Sequence, residues 1–379
     1  MKNEKSIFKR LLKISIIIFA SLFIAILLAF LILVIVYPAI LRNNNRIDSP
    51  TGIDLMETVE IGGIQQALYF RGQNLENPAV LFIHGGPGNP HRQMLHDFQY
   101  DLEHHFTIIH WDQRNQGKTL LLNDPETVLE TLSFDILLAD AYEVTQYIRE
   151  KLNKDKILVI GNSWGTVIGT ALVQAYPEYF GGYIGVGQAV NAYENESLMY
   201  TLLLEMAQNE NNTDILSKAK ALAPYPPVGE FDVSWVFKLQ ESRMLMHHYI
   251  DYGVSNLRFM AILMTSPYYS FREIMSFTIL ADVDTTIHNL KPLFKYLYDD
   301  FDVRNFGTEY KVPVFYLMGE YDTYTSYQLA KEFFEEISAP KKTFFTFHDV
   351  GHLPMHENTE EFNRILIEEI KPLVLELHY

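Results

Sequence analysis

The sequence predicts an α/β protein: a mostly parallel central sheet flanked by helices, with an inserted helical segment and one apolar helix ahead of the body. Three observations lead to this prediction. Short apolar runs bounded by Gly, Asp or Asn alternate with helical patterns through most of the chain. A stretch of roughly 120 residues separates two of these runs, far more than an ordinary connection needs. An unbroken apolar segment lies near the N-terminus.

Composition excludes several classes of function. The chain has 379 residues, 48% of them hydrophobic, which is enough for one large core and a subsidiary domain. The formal net charge of -17, without a clustered basic face, argues against a nucleic-acid partner. The absence of cysteine removes disulfides, thiol nucleophiles and thiolate metal sites. Serine or a carboxylate is therefore the expected nucleophile of any covalent chemistry.

The N-terminal segment predicts a membrane anchor. Residues 14–36 carry no charge, and 23 residues of helix span about 30 Å of hydrocarbon. A retained anchor is favoured over a cleaved signal peptide because the run is long and lacks an obvious small-residue cleavage site. Five basic residues precede the span and only Arg42 and Arg46 closely follow it, so the positive-inside rule keeps the N-terminus cytoplasmic. The expected location is the cell membrane, single-pass, with the rest of the chain outside the cell.

The domain boundaries follow from these patterns. We expect a cytoplasmic basic tail (1–13), a transmembrane helix (14–36), a juxtamembrane linker (37–54), an α/β core (55–190 and 305–379) and a helical cap (191–304). Predicted strands are residues 79–83, 106–111, 157–160, 183–186, 312–318 and 343–347, and residues 359–377 have the apolar spacing of a helix. Seven of the twelve methionines fall between Met199 and Met275, together with many aromatic residues. Such side chains form adaptable apolar walls or ordinary helical core.

The sharpest motif is Gly161-Asn162-Ser163-Trp164-Gly165, between a predicted buried strand and a helical stretch that runs to about Tyr176. This context is that of a nucleophile elbow, in which a serine occupies a strained strand-to-helix turn and the flanking glycines allow close packing. Ser163 is therefore the predicted nucleophile rather than an ordinary turn residue.

A nucleophilic serine needs a histidine base and an acid, and in α/β-hydrolases both follow the serine in chain order, the acid first. Asp322 lies just beyond the strand at 312–318, at the carboxyl edge where α/β sheets hold their sites, and Glu320 is its nearest competitor. His352, in a loop after the last strand, is the predicted base. His348 and His356 are spaced from it by four residues, but Gly and Pro interrupt any continuous helix, so we reject a zinc site. The chemistry needs neither metal nor organic cofactor.

The loop His84-Gly85-Gly86-Pro87-Gly88 directly follows the predicted strand at 79–83. Acyl transfer requires backbone N–H donors for the tetrahedral intermediate, and a glycine-rich loop in this position supplies one of them. The expected oxyanion donors are the N–H groups of Gly86 and Trp164.

Together these motifs resemble those of the proline iminopeptidase family of serine peptidases. The matching segments are His84-Gly85-Gly86-Pro87-Gly88, Asp112-Gln113-Arg114, Gly161-Asn162-Ser163-Trp164-Gly165, Gly319-Glu320-Tyr321-Asp322 and Gly351-His352. The resemblance covers roughly residues 55 to 379. It implies an α/β-hydrolase core with a helical cap, and release of an N-terminal residue, typically proline, from small peptides or related amides.

The chain also departs from the family pattern. Asn115 and Asn162 stand where glycine is usual, and Thr119 stands where serine is usual. The family uses cap glutamates to hold the α-ammonium group of the substrate. The candidates for this role are Glu194, Glu196 and Glu205. Each of them could instead be an ordinary solvated residue on a helix.

The predicted function is therefore a membrane-anchored serine hydrolase that acts on a small peptide, amide or ester substrate. An aminopeptidase or amidase that works through an acyl-enzyme is favoured. An esterase or lipase shares the same triad, and a non-catalytic surface binding protein of the same fold is the alternative from another class.

Overall fold

The computed structural model describes residues 2–229, 231–279 and 282–378. Among these residues, eight strands form one sheet in the order β1-β2-β4-β3-β5-β6-β7-β8. The strands are β1 (Ile53–Ile61), β2 (Ile64–Gly72), β3 (Ala79–Ile83), β4 (Thr107–Asp112), β5 (Ile157–Asn162), β6 (Phe180–Val186), β7 (Val314–Gly319) and β8 (Lys342–Phe347). β1 and β2 form an antiparallel hairpin, β2 pairs antiparallel with β4, and the other neighbours are parallel. The predicted mostly parallel sheet is confirmed.

Helices fill the connections. They are α1 (Lys2–Leu31), α2 (Tyr37–Asn44), α3 (Gly117–Leu122), α4 (Pro125–Leu129), α5 (Phe134–Leu152), α6 (Trp164–Ala175), α7 (Ala192–Asn209), α8 (Thr213–Ala221), α9 (Val233–Met246), α10 (Asn256–Met264), α11 (Phe271–Ile274), α12 (Val283–Lys295), α13 (Tyr327–Glu336), α14 (Pro354–Glu357), α15 (Thr359–Arg364) and α16 (Lys371–His378). Wider π turns occupy Ile32–Val36, Met275–Ile279, Tyr296–Asp300 and Ile365–Ile370. Short 3-10 turns occupy His91–Gln93, Leu95–Asp97, Leu102–His104, Pro177–Tyr179 and Val303–Phe306.

Two apolar layers cover the sheet, one on each face. In β3, Leu81 belongs to the apolar cluster that includes residues of α5, α6 and α13, whereas Val80 and Phe82 belong to the cluster that includes residues of α15 and of the turns before β4. This alternation is the period of two that a strand imposes on its side chains. Both faces are apolar because a parallel sheet is covered on both sides, which explains why the predicted strands appear as continuous hydrophobic runs.

The large insertion lies between β6 and β7, and helices α7 to α12 occupy residues 192–295 of it. It has apolar clusters of its own: α7, α8 and α9 pack around Leu203 and Met246, and Phe231 and Trp235 pack with Ile287 of α12. We refer to this helical segment between β6 and β7 as the cap.

The N-terminal helix extends further than the uncharged run. It continues through the π turn into α2, so that residues 37–44 of the expected linker are helical. Its apolar window has a mean hydropathy of 3.3, and none of it is buried in the body. The helix is long and apolar enough to cross a membrane, a property that a signal sequence shares. Near its end, Arg42 donates a hydrogen bond of 3.0 Å to Asp54 of β1.

Candidate active site

Ser163 occupies a strained turn between β5 and α6. Its backbone has φ 52° and ψ -118°, outside the regions that suit an ordinary L-residue, and its N–H donates to the carbonyl of Val186 at 2.9 Å. Glycine is needed on both sides. A Cβ at Gly165 would lie 2.0 Å from the carbonyl oxygen of Ile83, and one at Gly161 would lie 2.5 Å from that of Gly165. The local backbone is therefore that of a nucleophile elbow.

Asp322 and His352 come together at the carboxyl edge of the sheet. Asp322 follows β7, His352 lies in the loop after β8, and His352 Nδ1 is 2.8 Å from Asp322 Oδ2. The same Oδ2 accepts from Thr325 Oγ1 at 2.7 Å, and Oδ1 accepts from the N–H groups of Tyr324 and Thr325, each at 2.9 Å. The Asp322 side chain is fully buried, while that of His352 is 15% exposed. Four hydrogen bonds thus fix a buried carboxylate against the imidazole.

The competing residues have other partners. Glu320 contacts His348 at 2.9 Å on the exposed surface, and His356 Nδ1 lies 2.8 Å from Asp97 Oδ2. The three histidines spaced by four residues therefore face three different carboxylates. Among the residues that the structure describes, no group of three or more His, Asp or Glu side chains is arranged to hold a metal ion.

The loop at His84 to Gly88 lies beside the elbow. Gly86 has φ 116°, a conformation that favours glycine. Gln113 joins the loop to the elbow, because its Nε2 donates to the carbonyl of His84 at 3.2 Å and its Oε1 accepts from the Trp164 indole N–H at 3.1 Å. Trp164 is the first residue of α6, where backbone N–H groups have no acceptor within the helix. Both expected oxyanion donors therefore lie at the same edge as Ser163.

Burial sets the protonation of His84. Loss of solvent lowers the pKa of this histidine to about 4, so its ring is neutral near pH 7, and Nδ1 lies 2.8 Å from the carbonyl oxygen of Gly85. A neutral ring adds no charge beside the elbow. We therefore assign His84 a role in the loop's structure rather than in proton transfer.

The departures from the family pattern are accommodated locally. Asn115 has φ 54°, a left-handed conformation that asparagine tolerates better than most residues. Asn162 Nδ2 donates to the carbonyl of Val186 at 3.2 Å, and Thr119 Oγ1 accepts from the N–H of Ala67 at 3.0 Å. Asn162 thus makes a side-chain hydrogen bond that glycine cannot make, whereas the Thr119 hydroxyl offers the same acceptor as the usual serine.

A cavity of about 280 Å³ lies between the sheet edge and the cap. Gly86, Ser163, Trp164 and His352 line it from the core. A wider cavity of about 780 Å³ shares Gly86, Ser163 and His352 and opens along the segment that joins α9 to α10. We call these the inner and the outer cavity. Ser163 thus lines both cavities.

Of the three candidate cap glutamates, Glu196 lines the inner cavity. It is buried on α7, where it accepts hydrogen bonds from the Tyr225 hydroxyl at 2.5 Å and from Arg243 Nη2 at 2.6 Å. Burial and the adjacent carboxylate raise the pKa of Tyr225, so the phenol keeps its proton. Glu194 is instead paired with Arg304 at 3.1 Å, and Glu205 is exposed.

Three residues of the site had no predicted role: Gln113, Arg243 and Tyr324. The Tyr324 ring stacks on the His352 imidazole at 4.9 Å, and the Arg243 guanidinium lies over the Tyr324 ring at 4.7 Å. Gln113 could have been found from its motif position. Arg243 had no such signal, since a lone arginine in an amphipathic helix is ordinarily a surface residue.

Comparisons with known proteins show the fold family of the chain. Residues 78–359 match the family described as alpha/beta hydrolase fold. The Bacillus subtilis (strain 168) protein called "Probable aminopeptidase YbaC" is 27% identical over 317 residues, 83% of this chain and 95% of that protein. A proline iminopeptidase of Thermoplasma volcanium is 23% identical over 83% of this chain and 95% of its own length. A solved proline iminopeptidase of Mycobacterium smegmatis superposes with a TM-score of 0.57 at 15% identity, covering 85% of this chain and 99% of that one.

Proposed function

The chain belongs to the α/β-hydrolase family, and from this membership we propose that it is a serine hydrolase with Ser163 as nucleophile, His352 as base and Asp322 as the acid that orients the base. The observation that carries the proposal is the 2.8 Å contact between His352 Nδ1 and the buried Asp322 Oδ2, beside a cavity that contains Ser163. A carboxylate on Nδ1 leaves Nε2 as the nitrogen that can accept a proton.

The proposed reaction has two steps. In the first, His352 Nε2 takes the proton of the Ser163 hydroxyl as its oxygen attacks a carbonyl carbon, and Asp322 stabilises the imidazolium. The N–H groups of Gly86 and Trp164 hold the oxyanion, and the proton passes from His352 to the departing amine. In the second step, water repeats the attack on the acyl-enzyme and regenerates the Ser163 hydroxyl. The chemistry needs only these side chains and water.

We further propose that the substrate is a short peptide from which the N-terminal residue is released. Of the relatives described above, one is called a probable aminopeptidase and another a proline iminopeptidase. The inner cavity is the smaller of the two and holds a buried carboxylate, Glu196, which can accept a hydrogen bond from an α-ammonium group. The wider outer cavity has room for the departing peptide. The N-terminal residue would thus occupy the inner cavity and the remaining peptide the outer one.

Hydrolysis of prolyl and alanyl arylamides beside a short-chain aryl ester tests the proposal, with the full-length protein in detergent. We expect turnover of arylamides that Ser163→Ala abolishes and that Ser217→Ala, at an exposed position on α8, leaves unchanged. Ester turnover without amide turnover would assign the chain to the esterases instead. A well-folded protein that hydrolyses none of these, or a Ser163→Ala variant that retains full activity, would contradict the serine-hydrolase proposal.

We propose that the N-terminal helix is a retained anchor, with the N-terminus cytoplasmic and the catalytic body outside the cell. Support comes from its hydropathy, its lack of burial and the excess of basic residues before it. A membrane-impermeant protease added to intact cells should digest the body. Survival of the body, under conditions that digest a known external domain, would reverse the orientation, and a shortened chain released into the medium would indicate cleavage.

A further inference from the structure

The inner cavity contains a cation as well as a carboxylate. Arg243 of α9 lines this cavity together with Glu196, and its Nη2 donates to Glu196 Oε1 at 2.6 Å. An α-ammonium group that approached Glu196 would therefore meet a carboxylate already paired with a guanidinium. A cavity evolved only for a cationic amine gains nothing from a second cation beside the acceptor, since like charges repel in a poorly solvated space.

Arg243 also has hydrogen-bonding capacity to spare. A guanidinium carries five N–H donors in a planar fork, and Nε of Arg243 is buried without an acceptor among the residues that the structure describes. Its side chain is 24% exposed. Glu196 is the one carboxylate that pairs with Arg243 among the residues that the structure describes, and the exposed part of the planar fork can donate to a further acceptor in the cavity. The exposed part of the Arg243 guanidinium thus favours a ligand with an anionic group.

The position of Arg243 relative to His352 fits a group on the acyl side of the scissile bond. The guanidinium lies over the Tyr324 ring at 4.7 Å, and the same ring stacks with the His352 imidazole at 4.9 Å. Tyr324 therefore contacts both the cation and the base. In the proposed arrangement, the side chain of the N-terminal residue lies in the inner cavity, which Arg243 lines together with Ser163.

We propose that Arg243 selects substrates whose N-terminal residue is acidic, binding the Asp or Glu side-chain carboxylate while Glu196 accepts the α-ammonium group. The proposal rests on the aminopeptidase function proposed above. In this arrangement the α-ammonium group and the side-chain carboxylate of the bound residue each meet an opposite charge in the cavity. A neutral N-terminal residue pairs its α-ammonium group with Glu196 but offers no carboxylate to the Arg243 guanidinium. A charge-assisted hydrogen bond of this kind raises kcat/KM by about 10- to 100-fold over a substrate that lacks the carboxylate.

Matched arylamides of glutamate, glutamine, aspartate and proline test this inference with the full-length protein in detergent. Glutamine is the uncharged isostere of glutamate, so their ratio isolates the carboxylate. We expect kcat/KM to favour glutamate over glutamine by 10-fold or more. Arg243→Gln should lower kcat/KM for glutamate more than for glutamine and so remove the preference. Arg272→Gln, an exposed cap arginine, should keep the wild-type ratio.

Arg243→Gln leaves Glu196 buried without its cation and can fail to fold, so Arg243→Lys serves as a second variant. Lysine keeps the charge but lacks the planar fork, and we expect an intermediate ratio. A folded Arg243 variant that retains the wild-type preference for glutamate, or a wild-type enzyme that favours glutamine or proline, overturns the inference while leaving the aminopeptidase intact.

Measurements of ligand binding test this inference independently of hydrolysis. The Ser163→Ala protein can be titrated calorimetrically with glutamic acid α-amide and with glutaminamide. Tighter binding of the glutamic acid amide supports the role of Arg243, and equal binding overturns it. If the wild-type protein hydrolyses no arylamide at all, the aminopeptidase proposal fails, yet these two titrations still decide whether the cavity selects a carboxylate.

Discussion

A methyl group added at Gly165 should destabilise the protein because α6 crosses β3 at contact distance. The new Cβ would lie 2.0 Å from the carbonyl oxygen of Ile83, 2.7 Å from its carbonyl carbon and 2.9 Å from the carbonyl oxygen of His84. All three are backbone atoms, and β3 is held in the sheet between β4 and β5, so the strand cannot move aside without loss of ladder hydrogen bonds. We expect Gly165→Ala to reduce the free energy of unfolding by about 3 kcal/mol or more.

Gly182→Ala is the matched control. Its Cβ would lie 3.5 Å from side-chain atoms of Leu158 and Val374, an ordinary van der Waals contact. Its expected effect is within about 1 kcal/mol of wild type, since alanine also restricts the unfolded chain. Urea unfolding followed by tryptophan fluorescence measures both variants, and the three tryptophans all lie buried in the body. Equal unfolding midpoints for Gly165→Ala and wild type would refute the argument from the close crossing.

Three further predictions concern charge. Burial lowers the pKa of His96 to about 4 and that of His110 to about 3, so below about pH 6.5 the unfolded chain binds protons that the folded chain does not. The free energy of unfolding should therefore be highest above pH 6.5 and decrease as the pH drops towards 4. A urea midpoint that stays constant from pH 7.5 to 5 would contradict this. Asp140→Asn should cost about 3–5 kcal/mol in urea unfolding, because it leaves the buried Arg114 guanidinium without its charged partner; a loss below about 1 kcal/mol would mean that the pair is solvated. Asp322→Asn should lower kcat of the folded protein by about 1,000-fold or more, and retained activity would exclude Asp322 as the orienting acid.

The fold could be predicted where its signals are local. The six predicted strands all exist, with ends that differ by three residues or fewer, because a strand buried on both faces is a continuous apolar run. The hairpin of β1 and β2 was not predicted. β1 lies at the sheet edge, with Glu57 and Glu60 among its apolar residues, so its pattern is weaker than that of the central strands. The Gly62-Gly63 turn between two alternating segments was the available signal.

The elbow serine, the acid and the base of the candidate site could also be predicted from the sequence. An elbow must have small residues around its serine, and the acid and base must follow β7 and β8, so each position is fixed by a short stretch of chain. The structure brings Asp322 and His352 into contact at 2.8 Å. The pairing of Glu196 with Arg243 is not fixed by a short stretch of chain. Their contact at 2.6 Å joins residues on different cap helices, and no spacing rule connects two such helices.

This division between local and non-local determinants also bears on how substrate choice could change. The elbow, the glycine loop and Gln113 are tied to one another through β3 and α6, so a substitution there alters the reaction itself. Arg243 is connected to His352 by stacking through Tyr324. A change at Arg243 can therefore alter which residue enters the inner cavity while the hydrogen bonds of Asp322 and His352 stay as they are. Substrate preference in this chain should accordingly be set by the cap, and turnover by the sheet edge beneath it.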